Sequence, residues 1–284
     1  MKVIEIENLT KYYGDTKGTE NLSFEVEKGE IFGFLGPNGS GKTTTIKTMI
    51  KMLTDYDGEV EIFGKNLRDW GKDYYEKIGV SFEFPALYSK LTARENLDFF
   101  SSFYREETED SSKILEIVDL GKDSGLTVGS FSKGMKTKLD IARALVNDPD
   151  LIFFDEPIAG LDPGSARKIK DLIFSKKEEG KTIFLTTHNM TVADELCDRV
   201  AFIVDGAVRL IDNPNKLKAE RGKRRVKIEY EDDGKVDSSE FPLQDIGENQ
   251  EFLHILKNNE IQRMKTLEPD LEEVFLQVTG EELR

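Results

Sequence analysis

A glycine-rich segment of the sequence carries residue types that are suited to holding phosphate. Gly36, Gly41, Lys42 and Thr43 fit the spacing G-x-x-x-x-G-K-[ST], directly after the apolar run 31–35 and before a helical pattern. In this arrangement glycines let backbone N–H groups turn inward around phosphates, the lysine reaches the β- and γ-phosphates, and the threonine hydroxyl ligates Mg²⁺. The segment predicts a nucleoside triphosphate site, although it does not specify the class of enzyme.

Two acidic residues and a histidine follow other apolar runs. Asp155 and Glu156 come after the run 151–154, and His188 follows the run 182–187. We expect Asp155 to hold Mg²⁺ directly or through water, and Glu156 to polarise the attacking water as a general base. An acidic pair at a strand end is common in isolation, and a lone histidine is more often structural than catalytic. Beside a phosphate-binding loop, the pair favours hydrolysis, and the place of His188 favours a role at the γ-phosphate.

The stretch SFSKGMKTKLDIARAL, residues 130–145, predicts a helix without an obvious nucleophile, base or metal-ligand set. Its apolar residues recur at helical spacing, Ser132 lies where an N-cap belongs, and Gly134 lies just inside the helix. A helix N-terminus presents unpaired N–H groups and the positive end of a dipole, which together attract an anion. These residues therefore predict a second anion-binding element, and they leave the anion unidentified.

The elements that must position these residues alternate between strands and helices. Four short apolar runs predict strands that are buried on both faces, as in a parallel sheet. These runs are residues 31–35, 151–154, 182–187 and 200–204. Helical patterns cover 43–53 and 165–179, an alternating pattern over 22–26 predicts a half-exposed strand, and 85–147 is mainly helical. The alternation predicts an α/β domain that binds ligands at the carboxyl ends of its strands, with a helical insert.

Composition narrows the class of partner. The 284 residues carry a formal net charge of −15, which argues against nucleic acid as the main partner. Cys197 is the single cysteine, so an intrachain disulfide is impossible and a reducing compartment is indicated. The N-terminal residues do not resemble a signal peptide, and no run approaches the roughly 20 apolar residues of a membrane span. Contact with a membrane would therefore depend on a partner chain.

These segments, in this order, resemble the ATP-binding cassette of the ABC transporter family over roughly residues 1–212. The resemblance implies that Tyr13 of KYYG stacks on adenine, with Tyr12 as the reserve, and that Asp162 belongs to the D-loop AGLD. FSKGM matches the signature motif, LIFFDEP matches the Walker B segment, and His188 matches the switch histidine. The phosphate cradle of the family matches Gly36, Pro37, Asn38, Gly39, Ser40, Gly41, Lys42, Thr43 and Thr44.

The resemblance also implies a fold and a division of the chain. The expected fold is an α/β P-loop NTPase with a mostly parallel core sheet, an N-terminal antiparallel β-subdomain and an inserted helical subdomain at about 85–147. Composition shifts near Asn213, so the ATPase domain is expected over 1–212 and a small α+β accessory domain over 213–284. Within the latter, we interpret the basic segment 216–227 as a solvated linker.

In this family two cassettes pair head to tail, with ATP between them. Ser132 and Gly134 of one copy are then expected to contact the γ-phosphate held by the cradle of the other, with Asp162 at the shared site. The implied protein is an ATPase that uses ATP and Mg²⁺, pairs with a second cassette and powers an exporter through a separate transmembrane permease. A homodimer is sufficient, because both halves of the chemistry are present. The expected location is cytoplasmic, peripheral on the inner face of the cell membrane.

The sequence departs from the family pattern at two positions. Lys133 replaces the first of two adjacent glycines in the signature motif, and we expect its side chain to point to solvent. Glu83 replaces the usual glutamine of the Q-loop, where a charged oxygen is a stronger ligand for a hard cation. We therefore place Glu83 with Thr43 and Asp155 as ligands of Mg²⁺. Glutamate at this position resembles the cassettes of exporters that expel peptide antibiotics.

Two apolar sets have open interpretations. Phe84, Leu87 and Tyr88 follow Glu83 and either line a groove for a helix of the membrane subunit or pack inside the helical subdomain. Near the C-terminus, apolar residues at helical spacing are interpreted as core, because their acidic neighbours argue against membrane binding. These residues are Leu271, Val274, Phe275 and Val278.

Two other classes of function compete with the exporter subunit, namely a soluble ABC ATPase and a different P-loop enzyme. A soluble, non-transport ABC ATPase of translation or chromosome repair usually has two cassettes or a long coiled-coil insert, and this sequence shows neither. A P-loop GTPase would carry N-K-x-D, whereas the NKLK segment at Asn215 lacks the aspartate. A small-molecule kinase would not need the signature segment.

Overall fold

The computed structural model describes residues 1–232 and 235–280, which form two compact units. The first runs from Met1 to Ile211 and the second begins at Asp212. In chain order the strands are β1 (Lys2–Tyr13), β2 (Thr16–Glu27), β3 (Ile31–Leu35), β4 (Asp57–Ile62), β5 (Lys65–Asn66), β6 (Ile78–Ser81), β7 (Leu151–Asp155), β8 (Thr182–Thr187), β9 (Arg199–Val204), β10 (Ala207–Asp212), β11 (Arg225–Asp232), β12 (Lys235–Pro242) and β13 (Glu260–Leu267). The helices are α1 (Lys42–Met49), α2 (Ala93–Ser101), α3 (Ser111–Ile117), α4 (Lys133–Ala144), α5 (Pro163–Glu178), α6 (Met190–Leu196), α7 (Pro214–Arg221), α8 (Gln250–Asn258) and α9 (Leu271–Thr279).

The core of the first unit is a six-stranded sheet in the order β10-β9-β3-β8-β7-β6. The pairs from β9 to β6 are parallel, and every residue of β3, β7 and β8 is buried. This confirms the predicted buried strands, because continuous apolar runs suit strands that are covered on both faces. The rings of Phe24, Phe34 and Phe184 lie within 5.8 Å of one another and join this sheet to the N-terminal strands.

An antiparallel sheet in the order β2-β1-β4-β5 precedes the insert, as predicted. Ile4 of β1 lies opposite Val26 on one side and Ile62 on the other, so one face of this sheet is apolar. That face packs into the same hydrophobic core as the parallel sheet. The ends of β1 and β2, near Tyr13 and Thr16, are thereby fixed beside the loop that follows β3.

The helical insert supplies α2, α3 and α4 between β6 and β7. Each helix begins with a side-chain cap, of which Thr92 and Glu95 at the start of α2 form a complete capping box. The predicted capping of α4 by Ser132 is confirmed, since its Oγ accepts the Met135 N–H at 3.2 Å. Such caps satisfy backbone donors that a helix cannot pair internally.

The helix predicted over 43–53 is shorter than expected. It ends at Met49, because Lys51 adopts a left-handed backbone with φ of 60°. The N–H groups of Met52 and Leu53 then donate to the Lys47 carbonyl at 2.9 and 3.0 Å. This turn satisfies carbonyl groups at the helix end, and it requires a conformation that the residue types do not indicate.

The second unit contains a three-stranded antiparallel sheet in the order β12-β11-β13. Its core joins buried residues of β11 and β12 to α8. These are Val226, Ile228, Tyr230, Phe241, Phe252 and Ile255. The interpretation of 216–227 as a solvated linker is wrong, because residues 214–221 form α7 and 225–232 form β11. Asn213 caps α7, Pro214 occupies its first turn and Leu217 is buried, so the segment is a structural part of this unit.

The tail helix α9 buries Leu271, Val274 and Phe275, as predicted, while Val278 is only partly buried. This helix contacts α7. Among the described residues, no helix is both long enough and apolar enough to span a membrane.

Candidate nucleotide-binding site

The loop between β3 and α1 leaves no room for side chains at two glycines. A Cβ on Gly36 would lie 2.1 Å from the Ile203 carbonyl oxygen, and one on Gly41 would lie 2.5 Å from the Gly18 carbonyl oxygen. Gly41 is also the N-cap of α1 with φ of 108°, a backbone that favours glycine. As a glycine it has no side chain to cap the helix, so the first N–H groups of α1 are available to an anion.

Lys42 lies inside this loop and is only 7% exposed. Its ammonium group donates to the carbonyl oxygens of Gly36 at 2.7 Å and Pro37 at 3.0 Å. Burial lowers the pKa of Lys42, and the charges of Glu156, Asp155 and Glu83 oppose that shift. These hydrogen bonds hold the ammonium group within the phosphate loop, where it is positioned for a multiply charged phosphate chain.

Asp155, at the end of β7, is linked to two neighbouring elements. Its Oδ2 accepts a hydrogen bond from the Thr43 hydroxyl at 3.2 Å, and its Oδ1 accepts one from the Thr186 hydroxyl at the end of β8. Glu83 lines the same cleft as Thr43 and Asp155. The three side chains that were predicted as metal ligands therefore face one space, and all of them offer oxygen.

Glu156 is held in a strained and well-defined position. Its backbone is left-handed with φ of 53°, which is uncommon for a residue with a side chain, and it is 7% exposed. Its Oε2 accepts the Thr187 hydroxyl at 3.0 Å, and its Oε1 accepts the His188 backbone N–H at 2.9 Å. The Nδ1 of His188 lies 2.7 Å from the same Oε1. The structure thus brings the two predicted catalytic residues into direct contact.

The two adjacent tyrosines have different surroundings. Tyr13 lines the cleft, 47% exposed, with its hydroxyl 3.5 Å from that of Thr44. The hydroxyl of Tyr12 donates instead to Glu20 at 2.7 Å, and that hydrogen bond raises the pKa of Tyr12. Tyr13 therefore lines the cleft, and its stacking on adenine stays a prediction.

Several cleft residues were not predicted from the sequence. Thr16, Lys17 and Gly18 at the start of β2 line the cleft opposite the phosphate loop. Their residue types and spacing carry no signal of this place, which depends on how the antiparallel sheet packs. The hydroxyls of Thr186 and Thr187 were also missed, although two polar residues that end an otherwise apolar strand could have indicated them.

Ser132 and Asp162 lie outside the cleft that contains Lys42, as far as the described residues define it. Ser132 is exposed at the start of α4. Asp162 caps α5 by accepting the N–H groups of Gly164 and Ser165, each at 3.0 Å. Hydrogen bonds from the Ser165 side chain and from these amides lower the pKa of Asp162. The structure assigns both residues a capping role within their own chain.

The start of α4 is packed against the D-loop. A Cβ on Gly134 would lie 3.3 Å from Leu161 Cδ2, and Gly160 has φ of 76°. Lys133 is exposed, yet its Cδ and Cε lie 3.2 Å from the place of a Cβ on Gly160. The lysine that departs from the family pattern therefore rests its aliphatic stem on Gly160, which has no side chain to obstruct it.

Comparison with known proteins identifies the class. The ABC transporter family matches residues 19–159, and a family described as the fluoroquinolone efflux ABC transporter C-terminal domain matches residues 224–268. A fluoroquinolones export ATP-binding protein of Mycobacterium tuberculosis is 47% identical, over 99% of this chain and 95% of the relative. A bacitracin transport ATP-binding protein of Bacillus licheniformis is 37% identical, over 82% of this chain and 77% of the relative.

The fold has a solved counterpart in a dimeric ATP-binding cassette in a post-hydrolysis state with ADP and Pi. That structure is 28% identical with a TM-score of 0.66, covering 74% of this chain and 98% of its own. The chain belongs to the ATP-binding cassettes of the ABC transporter family. More particularly, it is an ATP-binding and ATP-hydrolysing subunit of an ABC export system.

Proposed function

We propose that two copies of this chain pair head to tail and that each copy completes the ATP site of the other. The observation that carries the proposal is a separation within one chain. Lys42, Asp155 and Glu156 share one cleft, whereas Ser132 is exposed at the start of α4 and lies outside that cleft. Ser132 and Gly134 would meet the γ-phosphate in the partner's cradle, where the positive end of α4 stabilises the anion. Similarity to a dimeric cassette supports this arrangement.

Hydrolysis would use Glu156 as the general base for a water molecule at the γ-phosphate. The hydrogen bonds from Thr187 and from the His188 amide fix its carboxylate, so little reorganisation is needed at the moment of proton transfer. His188 would hold Glu156 through Nδ1 and reach the γ-phosphate with the rest of its partly exposed ring. Lys42 and the N-terminus of α1 would neutralise charge on the β- and γ-phosphates.

The oxygen donors of the cleft fit Mg²⁺. Within residues 1–232 and 235–280, no cluster of His, Cys, Asp and Glu is arranged to hold a metal unaided. Mg²⁺ characteristically binds through one or two carboxylates together with substrate phosphates. Asp155 and Glu83 supply carboxylates in this cleft, Thr43 supplies a hydroxyl, and the nucleotide would supply the phosphates. When bound, Mg²⁺ would neutralise charge on the β- and γ-phosphate oxygens, while Thr186 keeps the Asp155 carboxylate oriented.

The exposed aromatic residues of the helical insert are proposed as the docking surface for a separate membrane-spanning chain. Phe84 is 78% exposed and Phe103 is 64% exposed. The rings of Tyr88 and Phe99 pack edge to face at 4.8 Å, and Phe99 contacts Phe103 at 5.0 Å. A solvent-exposed aromatic cluster of this kind marks an interaction site. Docking there would hold the chain at the inner face of the cell membrane.

The transported substrate is proposed to be an antibiotic of the fluoroquinolone class. The support is the 47% identity to a fluoroquinolones export ATP-binding protein along nearly the whole chain, together with the match of residues 224–268 to a fluoroquinolone efflux C-terminal domain. The second unit would then be an accessory domain specific to this group of exporters. Peptide antibiotics such as bacitracin are the alternative that the Glu83 position favours.

A mixing experiment tests the shared site. Glu156→Gln and Ser132→Arg should each be inactive alone. In a mixed pair, one site combines both defects, whereas the other site joins intact Glu156 to intact Ser132. Phosphate release should therefore appear on mixing. Two inactive variants that remain inactive together, while each still binds ATP, would contradict the head-to-tail arrangement.

Co-purification and export assays test the wider role. The chain should co-purify with a membrane-spanning protein, and Phe84→Ser should weaken that association. A chain that associates with ribosomes or DNA would instead be a soluble ABC ATPase.

Cells that express the chain with that membrane protein should expel a fluorescent fluoroquinolone faster than cells with the Glu156→Gln variant. Equal accumulation of the drug, with protection against bacitracin, would shift the assignment to peptide antibiotics.

A further inference from the structure

The segment 80–86, called the Glu83 loop below, is anchored to α4 by two charged residues, the buried Asp140 and the partly buried Arg143. Asp140 on α4 is fully buried, and its Oδ2 accepts the Phe82 N–H at 2.8 Å. A buried carboxylate needs partners that replace its lost water. Asp140 finds one in the loop and a second in Arg143, whose Nη2 lies 2.7 Å from Asp140 Oδ1.

Arg143 extends the grip to both ends of the Glu83 loop. Its Nη1 donates to the Ala86 carbonyl at 3.2 Å, and its Nη2 donates to the Val80 carbonyl at 3.5 Å. The guanidinium also lies over the Phe100 ring at 4.9 Å, which holds it in place from the side of α2. The planar, forked guanidinium allows one side chain to reach several acceptors.

The Glu83 loop, which Asp140 and Arg143 hold, carries two neighbouring residues that face different sites. Glu83 lines the nucleotide cleft, and Phe84 next to it is exposed on the aromatic docking surface. The helix that holds the loop has Ser132 at its other end. A helix of 12 residues is about 18 Å long and moves as a rigid element, so a displacement at Ser132 would be carried to the loop.

We propose that Asp140 and Arg143 are positioning residues that couple the signature helix to Glu83. Through them, contact of Ser132 with the partner's nucleotide would set the position of Glu83 in its own chain's cleft. The two ATP sites of a pair would thereby sense each other through α4. This inference rests on the proposed function, since it needs Ser132 to face the partner and Glu83 to face the nucleotide.

The test compares Asp140→Asn and Arg143→Lys with Thr137→Val. Asparagine keeps the shape and an acceptor for Phe82 but loses the charge, and lysine cannot form the fork to Val80 and Ala86. Thr137 is buried on the same helix, and its hydroxyl donates within the helix to the Lys133 carbonyl, so it controls for damage to α4. Asp140→Asn and Arg143→Lys should each lower kcat for ATP hydrolysis about tenfold with KM changed less than twofold. Thr137→Val should match the wild type.

A double-mutant cycle separates coupling from mere support of the fold. In a Glu83→Ala background, Asp140→Asn should lower kcat less than about twofold, because its effect acts through Glu83. Amide hydrogen exchange within 80–86 should rise at least about tenfold in Asp140→Ala, while amide exchange within α4 is unchanged. The exchange measurement decides the matter if Glu83→Ala turns over too slowly to assay.

Unchanged kcat, additive effects with Glu83→Ala, or unchanged exchange in the loop would each overturn the inference. Failure of the proposed function looks different. ATP-driven pairing would then be missing even with Asp140 and Arg143 intact, when it is measured by sedimentation in a Glu156→Gln background that does not hydrolyse the ATP. If Asp140→Asn and Arg143→Lys both pair normally and have a normal kcat, only the coupling role of Asp140 and Arg143 is refuted.

Discussion

Two helix N-termini in the first unit are built in opposite ways. The N-terminus of α1 starts from a glycine without a side chain and is enclosed by a loop in which Lys42 is buried. The N-terminus of α4 starts from an exposed serine that caps its own helix, and Lys133 next to it is also exposed. Neither first turn contains an acidic residue, so neither helix offsets the positive end of its own dipole within that turn.

The difference supports the proposal that one chain contains two anion-binding elements with different roles. The enclosed terminus is surrounded by residues that can perform hydrolysis, namely Asp155, Glu156 and His188. The open terminus lies outside that cleft, as far as the described residues define it, and it is packed against the D-loop at Gly160. The first terminus is suited to hold a nucleotide, and the second is suited to recognise a nucleotide that another chain presents.

Removing the base should give the largest effect and leave both helix termini intact. Glu156→Gln is expected to lower kcat by about 10²–10⁴-fold, because general-base catalysis contributes that range. ATP affinity should stay within about threefold, which is less than 1 kcal/mol. Phosphate release and equilibrium binding measure the two quantities. Turnover at the wild-type rate would remove Glu156 from the role of base.

A large side chain at the open terminus of α4 should prevent pairing and leave the enclosed terminus of α1 intact. Ser132→Arg is expected to abolish ATP-driven pairing and to lower turnover about 100-fold, since contacts to the developing charge are lost. Binding of ATP to the single chain should remain, because Ser132 is outside its own cleft. Ser175→Arg is the matched control, as Ser175 is exposed on α5 with its hydroxyl bonded to Glu179. ATP-induced dimers of Ser132→Arg in sedimentation would refute this account of α4.

The two tyrosines sharpen the description of the enclosed site. Tyr13→Ala should raise the Kd for ATP about tenfold, because loss of aromatic stacking on a base costs about 1–3 kcal/mol. Tyr12→Ala should change it less than about twofold, since Tyr12 is bonded to Glu20 instead of facing the cleft. Titration with a fluorescent ATP analogue compares them, and the reverse ranking would transfer the stacking role to Tyr12.

The smallest effect is expected at the departure from the family's glutamine. Glu83→Gln should shift the Mg²⁺ concentration for half-maximal turnover by less than about threefold, because both side chains offer an oxygen ligand. A Mg²⁺ titration of ATPase activity measures the shift. If turnover disappears altogether, Glu83 does more than ligate the metal.

Sequence and structure agree best where one local rule determines the outcome. The run 31–35 became β3 with the predicted bounds, because five consecutive apolar residues suit a strand buried on both faces. The phosphate loop was equally readable, since Gly36 and Gly41 stand where only glycine fits. The contact between Glu156 and His188 could not be predicted from the sequence, because it depends on the register of β7 and β8 in the folded sheet.

The failures have local causes of a different kind. The helix α1 stopped early because Lys51 is left-handed, a conformation that lysine seldom adopts. The segment after Asn213 has the charge density of a linker, whereas its helical signals are only the Asn-Pro start and the single apolar Leu217. The place of Lys17 in the cleft could not be predicted, since it requires knowing how two sheets pack.

The stem of Lys133 across Gly160 has a consequence for engineering. The signature motif and the D-loop therefore contact each other within one chain. A hybrid enzyme that imports the D-loop of another cassette with a larger residue at position 160 would have to displace this lysine, and the backbone there, with φ of 76°, favours glycine. Grafts between transporters should therefore carry both stretches together.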